Sequence, residues 1–247
     1  MLKALFLDMD ETLCDTKGAN EQAKKLMGQA VIAQYGESLD GEQFADAYVT
    51  GIYRDWTALQ RQRYWPIIQQ QSEAIFRIQL IRDLLAEQGV GSVSDAAAQA
   101  LQDGFDRDRL AAFDFYPGIL EFLAQARKSL TLVVITNGPI FSQVPKVEAI
   151  KLAEHVDHII IGGQEPEQKP ARSIFDKALK LANCDASEAI HVGDSLAADI
   201  AGAHNSGISS VWIQHQQPLD AELGINPQHT VISPSEIPAL IFELQKP

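Results

Sequence analysis

Apolar and polar positions alternate along this chain with two different textures. A short apolar run, Ala4-Leu5-Phe6-Leu7, stops at Asp8 and reads as a buried strand over residues 2–8. From about Lys17 to Arg109 no comparable β-branched run occurs, and Gln, Ala, Leu, Glu and Arg dominate, which is helical composition. Within it Ile75, Phe76, Ile78, Leu80, Ile81, Leu84 and Leu85 recur near helical spacing, with Gly89 where a C-cap belongs. The chain turns at Tyr116-Pro117-Gly118, and Ile119, Leu120, Phe122, Leu123 and Ala126 mark a new amphipathic helix.

Beyond that turn, apolar runs at 130–135, 158–161, 189–192 and 209–213 alternate with helical segments around 140–152, 171–182 and 196–206. This is the rhythm of a parallel sheet covered on both faces. The first strand must join that sheet. The expected fold is therefore α/β, a Rossmann-like doubly wound parallel sheet with an inserted α-helical domain. Residues 1–14 and 114–247 form the core, and residues 15–113 form the insertion.

Composition narrows the function. A chain of 247 residues that is 46% hydrophobic can bury a sizeable core. No window is long and apolar enough to span a membrane, and the initial apolar stretch is too short for a signal peptide, so a cytoplasmic protein is expected. The net charge of -13 opposes nucleic acid and anionic membranes as partners. Cys14 and Cys184 are isolated and read as reduced thiols without disulfide or zinc spacing. An anionic substrate must then find local positive charge from a metal ion, a lysine or helix N-termini.

The candidate chemistry stands at strand ends, where doubly wound sheets bind ligands. Asp8 and Asp10 follow the first strand, Thr136-Asn137-Gly138 follows the second, Lys169 precedes a helix, and Gly193-Asp194-Ser195 with Asp199 ends a later strand. Buried acids close together need a cation or a proton to offset their desolvation, which points to a metal site with a nucleophilic or acid/base aspartate. Each motif alone also has a structural reading: a cap for Asp8 or Asp10, a hairpin turn for Asn137-Gly138, a surface lysine, a simple turn at Gly193-Asp194. Their joint occurrence favours the chemical one.

With Asp8-Met9-Asp10-Glu11-Thr12, Thr136-Asn137-Gly138, Lys169 and Gly193-Asp194-Ser195 with Asp199 in that order, the chain resembles the haloacid dehalogenase superfamily of phosphotransferases. The resemblance covers residues 1–16 and 113–217, and residues between match as a helical cap. It implies that Asp8 attacks phosphorus to form an aspartyl-phosphate and that Asp10 protonates the leaving oxygen and later activates water. It implies Mg2+ held by Asp8, the Asp10 carbonyl and Asp194, with Asp199 behind them. Thr136, Asn137 and Gly138 would bind phosphate oxygens, and Lys169 would supply charge to phosphate and Asp8. The expected partner is a small phosphorylated metabolite, and the expected assembly a monomer or homodimer.

Within the superfamily, Gly162-Gly163-Gln164-Glu165 leading to Lys169-Pro170 and Ser173-Ile174-Phe175 is similar to the N-acylneuraminate-9-phosphatase family, as is Arg61 four residues before Trp65. Glu11 after Asp10 resembles pyrimidine nucleotidases instead, and an FMN-type phosphatase is a related alternative. Asp10 and the complete acidic motif argue against a dehalogenase, and the intact motifs against an inactive binding module; a phosphomutase shares all four motifs. In the cap, Arg61 and Trp65 are the candidates for contact with the leaving group. Tyr53, Trp56, Tyr64 and Trp65 read first as core packing and second as a substrate pocket, Arg54, Arg61 and Arg63 read first as solvated, and His155 and His158 as solvated or capping.

Overall fold

The computed structural model describes residues 2–218 and 224–246. Six parallel strands lie in the order β3-β2-β1-β4-β5-β6, with β1 at Ala4–Leu7, β2 at Thr131–Thr136, β3 at His158–Ile161, β4 at Ala189–Gly193, β5 at Ser209–Ile213 and β6 at His229–Val231. This is a doubly wound α/β sheet. The chain runs outward from β1 to β3, then returns to place β4 on the other side of β1, so the switch in direction falls between β1 and β4.

Register explains why polar residues gather at one edge. Leu7 pairs with both Val134 and Val192, so Asp8 is the first residue past the pairing on the central strand. Beyond the level of Leu7, β2 runs two residues further to Thr136, which pairs with Ile161, and β4 one residue further to Gly193, which pairs with Trp212. The strands read as continuous apolar runs because both faces are covered. On one face Phe6, Val133, Ile135 and Ile160 pack against Ile174, Phe175 and Ala178 of α8 (Arg172–Ala182), whose buried positions recur at helical spacing.

Two compact units are present: residues up to Thr16 together with those from Phe113 onward, and Lys17–Ala112. The second unit contains α1 (Thr16–Tyr35) from Lys17 on, α2 (Gly41–Ile52), α3 (Ala58–Gln70), α4 (Glu73–Glu87) and α5 (Asp95–Ala112). Its core is built on Phe44, Tyr48, Phe76, Leu80 and Phe105. Ser72 caps α4, its hydroxyl accepting from the Ile75 amide, and Gly89 takes a left-handed φ of 84° after the helix.

In the first unit the helix expected from Ile119 is α6, Ile119–Ala126, and that expected near 140 is α7, Ile140–Ala149. Two elements differ from the sequence reading. The segment 196–206 is a π-helical turn, Leu196–Ile200, followed by α9, Ala201–Asn205. β6 was not anticipated; with three residues after Pro227, it carries too little periodicity to stand out.

Candidate active site

Asp8 sits at the end of β1, its amide donating to the Val192 carbonyl at 2.9 Å, and its side chain is buried. Behind it the chain folds into a tight turn in which the amides of Leu13 and Cys14 donate to the Met9 carbonyl and Glu11 adopts a φ of 56°. The Glu11 carboxylate accepts from the Tyr116 hydroxyl at 3.2 Å, and its carbonyl lies 2.6 Å from His215 Nε2. Both contacts hold the turn that brings Asp10 back beside the sheet edge.

Lys169 is the positive centre. Its Nζ donates to Asp8 Oδ1 at 2.5 Å, the Ile135 carbonyl at 2.6 Å and Asp199 Oδ1 at 2.7 Å, which uses all three ammonium hydrogens. The backbone of Lys169 is fixed by Asn137, whose Oδ1 accepts from the Lys169 amide at 2.9 Å and whose Nδ2 donates to the Lys169 carbonyl at 2.8 Å. The Asn137 side chain is thereby committed to the lysine, and the Gly138 amide to Gln168 Oε1 at 3.0 Å. Thr136 ends β2 with its hydroxyl buried.

The π-helical turn after β4 places Asp199 beneath this centre. Its Oδ2 accepts from the Ser195 amide at 3.1 Å, and its Oδ1 lies 2.8 Å from His191 Nε2. A Cβ on Gly193 would collide with the Asp199 carboxyl group, so this strand end needs glycine. Carboxylate oxygens of Asp8, Asp194 and Asp199 all lie within 4.8 Å of one another, the one such group of metal-ligating side chains found among the described residues. Three carboxylates against one ammonium leave two negative charges, and an all-oxygen donor set fits a hard divalent cation such as Mg2+. The Asp10 side chain stands outside that group.

Asp10 has a separate setting. Its Oδ1 accepts from Thr16 Oγ1 at 2.6 Å and Lys146 Nζ at 2.7 Å, and its Oδ2 from Gln143 Nε2 at 2.8 Å. The two aspartates are consequently pulled apart. Burial, reinforced by Asp199, Asp194 and Asp10, raises Asp8 well above the usual carboxylate range despite Lys169. Burial acts upward on Asp10 too, but Lys146, Thr16 and Gln143 outweigh it and hold Asp10 below its ordinary value. Lys146, 2.7 Å from Asp10 Oδ1, is what sets Asp10 apart from Asp8.

Thr16, Gln143, Lys146 and His191 received no role in the sequence reading. A signal for two of them exists: Gln143 and Lys146, three apart, form the buried stripe of α7, where apolar residues are the rule. His191 is fully buried on β4, its ring edge-on to Phe175 at 5.1 Å.

His191 gives a pH prediction. Burial holds its pKa below the ordinary 6.5, the Asp199 contact opposing only in part. As pH falls through 6.5 the unfolded chain takes up this proton before the folded one does. The stability due to neutral His191 is therefore complete above that value and is lost progressively toward the depressed folded pKa. His191→Gln keeps a donor for Asp199, and thermal melts should show a shallower fall in Tm between about pH 7 and pH 5 than in wild type, by roughly 2–4 °C per kcal/mol recovered. Equal slopes would mean that His191 protonates within the folded protein.

In the second unit Trp56 and Tyr64 pack into the helical core, as expected of them, with Trp56 Nε1 donating to the Gly51 carbonyl at 2.7 Å and Tyr64 hydroxyl to Asp83 at 2.9 Å. Tyr53 and Trp65 do not pack into the core as expected: Tyr53 is 57% exposed, and Trp65 is 38% exposed beneath Arg54, whose guanidinium lies 5.5 Å from the indole. Arg54 pairs with Glu73 at 3.0 Å and Arg63 with Asp83 at 2.5 Å. Arg61 is exposed on α3. His155 meets Phe115 edge-on at 5.7 Å and belongs to no metal-ligating group among the described residues. No helix of the described residues is long and apolar enough to cross a membrane.

Comparison with known proteins places this geometry. A family model described as haloacid dehalogenase-like hydrolase matches residues 2–207. The chain is 26% identical to the N-acylneuraminate-9-phosphatase of Rattus norvegicus over 97% of this chain and 94% of that protein. It is 30% identical to the ribulose-1,5-bisphosphate 5-phosphatase of Halopiger xanaduensis, covering 90% and 88% of the two chains. Among solved structures, the HAD-hydrolase YfnB of Bacillus subtilis, bound to magnesium, superposes with a TM-score of 0.67 at 19% identity over 97% of this chain and 98% of that one.

Proposed function

The chain belongs to the haloacid dehalogenase-like hydrolase family, and from that premise we propose that this phosphatase uses Mg2+ and an aspartyl-phosphate on Asp8, with N-acylneuraminate 9-phosphate as its substrate. The observation that carries the chemistry is the placement of Asp8 at the end of the central strand, 2.5 Å from Lys169 and grouped with Asp194 and Asp199 as a carboxylate set able to hold a divalent cation, with Asp10 two residues further on.

In the first step an Asp8 carboxylate oxygen bonds to phosphorus as the bond to the leaving oxygen breaks, and Asp10 delivers a proton to that oxygen. In the second, Asp10 takes a proton from water, the water oxygen bonds to phosphorus, and the Asp8 carboxylate is released. Lys169 neutralises Asp8 and the phosphoryl oxygens, while the Thr136 hydroxyl donates to one of those oxygens. Asp194 and Asp8, with the Asp10 carbonyl, would hold the cation, and Asp199 supports them through Lys169 and His191. When bound, the cation supplies the positive charge that keeps Asp8 ionised and stabilises the phosphoryl group. Cys14, whose thiol burial pushes up beyond the usual range, and Cys184 are both unpaired, which suits the reducing cytoplasm.

The substrate assignment rests on likeness to the N-acylneuraminate-9-phosphatases over nearly the whole chain. A nucleotidase reading rests on Glu11, but its carboxylate accepts from the Tyr116 hydroxyl and so has a turn-holding role.

The test is a panel of N-acylneuraminate 9-phosphate, nucleoside monophosphates, FMN and p-nitrophenyl phosphate, assayed with Mg2+ and with excess chelator. The sialic acid phosphate should give a kcat/KM at least about tenfold above the nucleotides, ~1.4 kcal/mol of discrimination, and chelator should stop turnover of every substrate. Arg61→Ala should lower kcat/KM on the sialic acid phosphate and spare p-nitrophenyl phosphate. A preference for pyrimidine monophosphates overturns the substrate assignment, and full activity in chelator overturns the metal.

A further inference from the structure

Asp10 and Thr136 share a single donor. Gln143 Nε2 lies 2.8 Å from Asp10 Oδ2 and 2.6 Å from Thr136 Oγ1. A primary amide nitrogen carries two hydrogens, so both bonds form at once. The residue is 2% exposed on the inward stripe of α7, where a buried amide is retained only if its hydrogen bonds are met. The phosphate-loop glycine leaves it room: Gly138 has a φ of 126°, and a Cβ there would stand 3.1 Å from Gln143 Cγ.

Two consequences follow from this bridge. A threonine hydroxyl has one hydrogen, and here its oxygen already accepts from Gln143, so the hydrogen is left for a further acceptor. Its contact with the Asn137 carbonyl is long, 3.5 Å. Meanwhile Asp10 is clamped from both sides, Oδ2 by Gln143 and Oδ1 by Thr16 and Lys146.

We propose that Gln143 is a positioning residue that couples the phosphoryl-binding hydroxyl of Thr136 to the acid/base carboxylate of Asp10, directing the Thr136 hydrogen toward phosphate and fixing the orientation of Asp10. This role rests on the phosphatase reading given above. It makes phosphate recognition and proton transfer interdependent, since one amide sets both geometries.

The test is a double-mutant cycle on the full chain with p-nitrophenyl phosphate as substrate and inorganic phosphate as inhibitor. Gln143→Leu should lower kcat by about tenfold or more and weaken inhibition by phosphate several-fold, with Tm within a few degrees of wild type. In a Thr136→Val background, which lacks the hydroxyl, the effect of Gln143→Leu on phosphate inhibition should vanish while a loss in kcat through Asp10 persists. Gln143→Met supplies the same comparison if Gln143→Leu melts far below wild type. Strictly additive effects on phosphate inhibition, or a Gln143→Leu enzyme with wild-type kcat, would overturn the coupling. Those results leave the phosphatase reading intact, whereas a wild-type protein that turns over no phosphomonoester rejects that reading and this role with it.

Discussion

Asp8→Asn should reduce turnover by at least about a thousandfold, ~4 kcal/mol of lost transition-state stabilisation, while the protein melts within a few degrees of wild type. The amide is nearly the same shape as the carboxylate and still offers an oxygen to Lys169, which now stands 2.5 Å from Asp8 Oδ1. It lacks the negative oxygen that attacks phosphorus. Stability is protected because burial and the neighbouring Asp199, Asp194 and Asp10 already work against a charge at this position. The measurement is kcat on p-nitrophenyl phosphate beside a thermal melt. Retention of more than about a tenth of the wild-type rate, under ~1.4 kcal/mol, would remove Asp8 as nucleophile.

Lys169→Met should be damaging in both respects. The ammonium is almost wholly enclosed and bonded to Asp8, Asp199 and the Ile135 carbonyl. Methionine fills the space but leaves buried acids without their cation, at a cost of about 3–5 kcal/mol for breaking such a pair. For a chain of this size that is a fall in Tm of roughly 10 °C. Activity should drop by about two to three orders of magnitude, because in the proposed mechanism the same ammonium offsets the phosphoryl charge. The Tm gap should narrow as pH falls, since protonating Asp8 or Asp199 removes the charge that the variant cannot neutralise. A gap that widens in acid would show that Lys169 stabilises the fold by some means other than charge.

Much of this architecture is legible in the sequence. The β1, β2, β4 and β5 runs declare themselves because strands covered on both faces are continuously apolar, and a charged residue directly after such a run marks where the sheet ends. Asp8 and Asp194 are visible for that reason, and Thr136 as the polar residue that closes the β2 run. Lys169 is different, since only its place in an ordered set of motifs distinguishes it from a surface lysine. The helices at Ile119 and Arg172 follow from their spacing of apolar positions.

What sequence could not supply was the partner of each polar group. Lys146 and Gln143 sit on the inward side of α7, where hydrophobic periodicity registers them only as breaks, and their bonds with Asp10 span more than a hundred residues. The opposite settings of Asp8 and Asp10 depend on those contacts. His191 lay unassigned for a related reason: in sequence it is one more residue of an apolar strand, and only the return of Asp199 on a π-helical turn gives its ring a carboxylate. Arg61 and Trp65 show the limit in the helical unit: both are exposed on α3, and exposure specifies no ligand.

The central claim is that the phosphoryl group passes through Asp8. Acid-quenching the enzyme within the first turnover of p-nitrophenyl phosphate, followed by peptide mass spectrometry, tests it most directly. The account predicts one phosphoryl group on the peptide bearing Asp8, removed by hydroxylamine and absent from Asp8→Asn. A wild-type enzyme that turns over rapidly, yet carries its phosphoryl group on another residue, would contradict it.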